Sequence, residues 1–146
     1  MPSVLTSITI DAPAAVVWDT LTDFDAYPEW NRVILKPRGR VAPGEPFDFA
    51  IKVGRLEAPI AARFVRADGT ELRWEGPRNR LQAPLGTGSH YFRLEPKGER
   101  STTLIHGEVF GGPLFRLPWR FLGPQLERTY NRLNRAMKER CEAEAR

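Results

Sequence analysis

The stretch PWRFLGPQLERTYNRLNRAMKERCEA, from Pro118 to Ala143, decides the fold. Its apolar residues Trp119, Leu122, Leu126, Thr129 with Tyr130, Leu133, Met137 and Cys141 recur at steps of three and four, which is one face of an α-helix. The opposite side reads Glu127, Arg128, Asn131, Arg132, Asn134, Arg135, Lys138 and Glu139, a wet face. Pro124 removes an internal hydrogen bond and crowds the preceding turn. Gly123-Pro124 therefore predicts either a kink or a short helix from about Gly112 to Leu122 with the main helix starting at Pro124. A long helix with one greasy stripe must lie on something, and the residues before it supply short alternating strands.

Working back from the helix, Thr102–Phe110 alternates as a last strand, and His90, Phe92 and Leu94 alternate with Tyr91, Arg93 and Glu95. The turn Pro96–Arg100 joins these two. Gly76–Gly88 is a longer loop, and the stretch Leu81–Ser89 could be a second gate to a pocket. Earlier strands are Val33–Val41, broken at Pro37 as at an edge or a bulge, then Phe47–Val53, Ile60–Ala67 and Leu72–Gly76. Ala42–Glu45 and Gly54–Pro59 read as turns, and Asp68-Gly69 as a hairpin turn. The chain begins with a strand, Val4–Ile10. A helix follows from Asp11-Ala12-Pro13 to Leu21, with Asp11 placed to accept from free N–H groups. A second short helix or set of turns covers Phe24–Trp30. One α+β domain over residues 1–146 is expected: a curved antiparallel sheet of about seven strands (β-α-α-β6-α) wrapped around a long C-terminal helix.

The bulk numbers agree. The chain has 146 residues, 41% hydrophobic and 27% charged. A domain of that size buries about 70% of its unfolded surface, enough for a core plus a cavity. No apolar run reaches the ~18 residues of a membrane span, so no stable membrane insertion is expected. Met1-Pro2-Ser3-Val4 does not open a secretory signal. The one cysteine, Cys141, excludes an internal disulfide and fits a cytoplasmic setting. Net charge is +4, but the arginines are spread along the chain. The basic run Arg128, Arg132, Arg135, Lys138 and Arg140 is mixed with glutamates and reads as a solvated helix face, not a nucleic-acid surface. Two histidines and one cysteine stand at no ligand spacing, and no phosphate loop is present, so no metal and no cofactor is expected.

Ordered segments along the whole chain resemble the START-like superfamily, also called SRPBCC or helix-grip, and within it the polyketide cyclase/dehydrase branch. They are IDAPAAVVWDTLTDFDAYPEWN (Ile10–Asn31), LRWEG (Leu72–Gly76), SHYFRLEP (Ser89–Pro96) and HGEVFGG (His106–Gly112). The resemblance implies a helix-grip fold around an internal, mostly apolar cavity. It also implies hydrophobic ligands such as lipids or polyketides, with cyclase or dehydratase activity in some members. It fixes fold better than activity.

The polar candidates are His90, His106, Glu108 and Tyr130. Depending on hairpin register, His90 stands opposite His106 or Glu108. That strand face also carries Phe92, Leu94, Leu104 and Phe110, while the other carries Thr103, Ile105, Gly107 and Val109. Periodicity alone leaves the inner face open. The larger aromatics place His90, Phe92, Glu108 and Phe110 toward the cavity. A His–Glu pair there could orient a ligand, act as a general base, or simply close the sheet. Phe24, Tyr27 and Trp30 either form a mouth or plug the core, with Glu29 and Asn31 capping. Pro113–Trp119 is a flap or core. The expected wall is Phe47, Phe49, Ile51, Phe64, Trp74, Phe92 and Phe110, under a roof of Trp119, Leu122, Leu126 and Tyr130.

The expected function is non-covalent binding of a hydrophobic or amphipathic small molecule, lipid- or polyketide-like. Alternatives are a cyclase/dehydratase-type enzyme using His90 and Glu108, or a filled-core protein-interaction module. An exposed sheet edge could also pair two chains as a homodimer.

Overall fold

The structure, a computed structural model, describes residues 2–116 and 118–146. Seven antiparallel strands form one sheet: β1 Ser3–Ile10, β2 Ile34–Gly39, β3 Pro46–Val53, β4 Leu56–Ala67, β5 Glu71–Gly76, β6 Thr87–Gly98 and β7 Ser101–Gly111. Their spatial order is β1-β7-β6-β5-β4-β3-β2. The chain therefore crosses from one edge of the sheet to the other between β1 and β2. It does so through helix α1 (Ala14–Thr22), a 3₁₀ turn at Phe24–Ala26 and helix α2 (Tyr27–Trp30). Helix α3, Trp119–Glu144, closes the fold against the sheet. This is the α+β helix-grip arrangement that the strand count and the long final helix predict.

The two halves of α3 do different work. Leu133, Met137 and Cys141 pack into the main core with Ile10, Val17, Leu21, Phe92 and Leu104, all buried. Leu126 and Tyr130 belong to a smaller cluster with Val4 and Phe110, backed by Trp119 and Leu122. Each large apolar side chain buried this way stabilises by about 1.5–3 kcal/mol relative to an exposed one.

Several boundaries differ from the sequence reading. Gly123-Pro124 does not split the helix: Pro124 lies inside α3, and a 3₁₀ turn at Pro113–Phe115 precedes it. Pro124 and Arg120, whose carbonyl loses its donor, are both exposed, so water can take the place of that bond. Asn134 is not on the wet face. It is 1% exposed, four residues after buried Tyr130 and so on the same side of the helix. Asp11 does not cap α1: the cap position is Pro13, without a side-chain hydrogen bond, and the Asp11 backbone N–H donates to Glu142 Oε2 at 2.8 Å. Gly54–Pro59 is not a turn throughout. β4 already starts at Leu56, and Pro59 sits where β4 pairs with β3 alone, a place that tolerates a missing donor. Pro37 does mark a bulge, between Leu35 and Arg38, with Lys36 at φ 51°.

Tyr27, Trp30 and Phe24 plug the core. The Tyr27 hydroxyl donates to the Leu21 carbonyl, and the Phe24 ring stacks on Phe47 at 5.1 Å. Asn31 holds the C-cap position of α2 through its backbone N–H on the Tyr27 carbonyl, while its Oδ1 accepts from the Val33 and Ile34 N–H groups at 2.9 Å each in the turn into β2. Glu29 instead pairs with Arg140 at 3.0 Å. Of the Pro113–Trp119 stretch, Leu117 lies outside the described residues.

Candidate functional site

Between the N-terminal half of α3 and the strands β3 to β7 lies a cavity of about 1010 Å³. Phe49, Ile51, Trp74, Phe110, Leu122, Leu126 and Tyr130 line it, with His90 and Glu108 among them. Lys36, Arg38, Leu56, Leu85 and Leu114 also line it and are exposed, so they mark its mouth. The loop between β5 and β6 shapes that mouth. Arg78 ties it to Asp48 at 2.9 Å and to the Ala62 carbonyl at 2.6 Å, and Leu114 N–H donates to the Leu85 carbonyl at 2.9 Å.

The other residues expected on the wall or roof lie elsewhere. Phe47 and Phe64 stack on each other at 4.6 Å, and both are fully buried in the main core with Phe92. Tyr27 and Trp30 sit in the same core. Trp119 packs against Phe110 at 5.2 Å, outside the lining. For Phe47, Phe64, Phe92, Tyr27 and Trp30 the reason is shared: the faces they occupy point inward, but the region they reach is filled by aromatic rings and α1, whereas Trp119 is held in the smaller cluster around Phe110.

The polar cluster follows from register. Cross-strand partners place Trp74, His90, Glu108 and Val4 in one row, and Leu72, Phe92, His106 and Thr6 in the next. His90 is thus directly opposite Glu108, with His106 on the diagonal. Rows two residues apart along a strand are about 6.6 Å apart. Helix residues four apart rise by about 6 Å, so α3 can set Tyr130 over the first row and Asn134 over the second.

The hydrogen bonds run through both rows. Tyr130 O–H donates to Glu108 Oε1, which also lies 3.1 Å from His90 Nδ1. His90 Nε2 is 2.7 Å from His106 Nε2, and His106 Nδ1 is 2.8 Å from Asn134 Oδ1. Asn134 Nδ2 donates to Thr6 Oγ1 at 2.8 Å, and Thr6 Oγ1 donates to the His106 carbonyl at 2.7 Å. The His90 ring stacks on Trp74 at 4.6 Å.

Burial, then the neighbouring His90, hold His106 well below the ordinary histidine value, so it is neutral. Burial, then Glu108, push the Tyr130 phenol well above its ordinary range, so it remains a donor. His106, a catalytic candidate from the sequence, does not line the cavity but stands behind His90. Both side-chain hydrogen bonds recorded for Glu108 among the described residues fall on Oε1, which leaves Oε2 without one, and the side chain is 13% exposed. It is the open acceptor of the cluster. A Cβ on Gly88 would collide with it, so glycine makes the room it occupies. Sequence reasoning missed Thr6, Gly88, Lys36 and Arg38. The position of Asn134 four residues after Tyr130 was a usable signal.

Fold and cavity together define a START-like, helix-grip protein. Residues 1–142 match the family described as polyketide cyclase / dehydrase and lipid transport, and the chain belongs to that family. No curated protein matches it. Among solved structures it resembles a protein from Thermus thermophilus, with 14% identity, TM-score 0.78, and 99% of this chain and 100% of that one covered. It also resembles the Zhui aromatase/cyclase from Streptomyces sp. R1128, with 17% identity, TM-score 0.77, and 99% and 95% covered. A START superfamily protein from Mycobacterium smegmatis matches with 18% identity, TM-score 0.76, and 97% of each chain covered. At these identities the likeness is one of fold. Among the described residues no helix is long and apolar enough to cross a membrane.

Proposed function

We propose that the protein binds a hydrophobic or amphipathic small molecule, lipid- or polyketide-like, in the cavity under α3. The observation that carries this reading is a cavity of about 1010 Å³ with a mostly apolar lining, in which His90, Glu108 and Tyr130 form one hydrogen-bonded cluster while Lys36, Arg38, Asp48, Gln82 and Thr87 are the other polar side chains. Such a site takes up apolar surface non-specifically and orients the ligand through a few polar atoms. Glu108 Oε2 is the atom that meets the ligand, with His90 acting behind it. An open cavity argues against the filled-core interaction module. The buried Cys141 suits a reducing compartment, and we place the protein in the cytoplasm.

Native mass spectrometry of the freshly purified protein tests the reading, followed by solvent extraction and mass analysis of the released material. A stoichiometric adduct of lipid- or polyketide-like mass is expected. A clean apo mass, with no thermal shift from a panel of fatty acids and aromatic polyketides, would sink the idea.

A second reading is a cyclase- or dehydratase-type enzyme. The unpaired carboxylate oxygen of Glu108 favours it, because a general base must have a free lone pair within reach of the substrate. Glu108→Gln would then abolish turnover of a candidate polyketide while leaving it bound. If turnover survives, this second reading fails.

A further inference from the structure

The hydrogens of the buried cluster can be placed one after another, starting from Thr6. The Thr6 hydroxyl has one hydrogen, and its oxygen is 2.7 Å from the His106 carbonyl, which can only accept. That hydrogen is committed. The Asn134 atom 2.8 Å from Thr6 Oγ1 must then be the donating Nδ2, which turns Oδ1 toward His106. Oδ1 only accepts, so His106 carries its hydrogen on Nδ1. His106 is neutral and fully buried, so its Nε2 is a bare lone pair. His90 Nε2, 2.7 Å away, must supply the hydrogen between the two rings. The opposite placement would set two lone pairs or two hydrogens face to face in a buried site, which costs more than a missing bond.

We infer that Thr6, Asn134 and His106 are positioning residues for the polar end of the cavity. They oblige His90 to carry hydrogen on Nε2. One further proton is then shared between His90 Nδ1 and Glu108 Oε1, and Glu108 Oε2 is left as a charge-compensated acceptor for an O–H or N–H group of the ligand. Without the chain, His90 could satisfy Glu108 with its only hydrogen on Nδ1, and the pair would carry a net negative charge inside an apolar cavity, a costly arrangement. With it, the pair is net neutral on either side of the 3.1 Å gap. The groups facing His90 are Glu108 and His106 from β7, Tyr130 from α3 and the Trp74 ring from β5, and none brings another formal charge. Tyr130 already occupies Oε1 as a donor, so Oε2 is the side open to the cavity. The ligand part of this inference rests on the binding reading above, whereas the hydrogen placement does not.

The test separates the two. The chain has two histidines, so NMR of histidine-labelled, ligand-free protein near neutral pH reads each imidazole nitrogen directly. His106 is expected as the Nδ1–H tautomer and His90 with hydrogen on Nε2. Thr6→Ser keeps the hydroxyl and should keep this pattern. Thr6→Val frees the Asn134 amide to turn over, and His106 should become a mixture of tautomers. Hydrogen on His106 Nε2 in the wild type, or an unchanged pattern in Thr6→Val, overturns the inference. The wild-type spectrum decides even if Thr6→Val does not fold.

For the ligand part, the affinities of a naphthol and of its methyl ether are compared by calorimetry. The naphthol should bind up to about tenfold more tightly, the value of one well-made hydrogen bond. The preference should persist in Thr6→Ser and shrink in Thr6→Val and Glu108→Gln. Equal affinities in the wild type overturn the donor preference. Failure of both probes to bind counts against the binding reading and the donor preference together, while the tautomers are still read.

Discussion

Tyr130 and His106 show how single groups are tuned by where the sheet and helix put them. Tyr130→Phe removes one of the two contacts on Glu108 Oε1 and leaves the half-buried carboxylate less satisfied. The expected cost is about 1–3 kcal/mol in denaturant unfolding. His106 has a folded-state value well below its unfolded one. Its contribution to stability is therefore present above about pH 6.5 and is lost as pH falls, because the unfolded chain takes up a proton the native chain refuses. A pH series of unfolding midpoints should decline below about pH 6.5 with a slope of up to about 1.4 kcal/mol per unit from this residue. That decline should shrink in His106→Gln. The sign reverses on the alkaline side. Tyr27 and Tyr130 are both held above the ordinary phenol value, chiefly by burial. Stability is present below about pH 10 and falls above it, as unfolded phenols ionise and buried ones do not.

At the scale of elements, α3 is a helix with a solid half and a hollow half. Leu133 is packed in the main core, while Leu126 borders the cavity. Leu133→Ala opens a new void and should cost about 3 kcal/mol. Leu126→Ala only widens an existing space, and its cost should be about half that. Equal losses in chemical denaturation would contradict the division. Pro124 is exposed and withholds a donor from Arg120, so Pro124→Ala should raise the unfolding free energy by about 2 kcal/mol, the helix-interior cost of about 3 less about 1 for the freer unfolded chain, read from the denaturant midpoint. The β5–β6 hairpin region has its own buried charge. Glu71 accepts from Arg73 at 3.0 Å and Arg93 at 3.3 Å on the outer face. Burial alone would raise its carboxyl, yet these guanidinium partners bring it below the usual range.

At the scale of the whole molecule, a large cavity gives up packing contacts that a filled core would have kept. A ligand that fills it restores them in the native state alone. Saturation at about a hundred times its dissociation constant should add about 2.7 kcal/mol. For a chain of this length that is a rise of roughly 8 °C in Tm. Scanning calorimetry before and after solvent extraction of a co-purified ligand should show a fall of that order, and readdition should reverse it.

The sequence by itself determined the element order and the fold class, because both are written as local periodicity. Steps of three and four from Trp119 to Cys141, alternation in β1, β3 and β7, and the Asp68-Gly69 turn need no long-range information. It also brought His90, Glu108 and Tyr130 forward as candidates. The tertiary structure decided which of the inward faces is hollow. Phe47 and Phe49 lie on one face of one strand, yet Phe47 meets Phe24 and Phe64 in the core and Phe49 borders the cavity. It also set Asn134 and Thr6 behind the histidines, a pairing 128 positions apart in the chain. Local periodicity assigns a residue to a face; whether that face meets a packed ring, an empty space or a buried partner depends on elements that approach only when the sheet curves around α3.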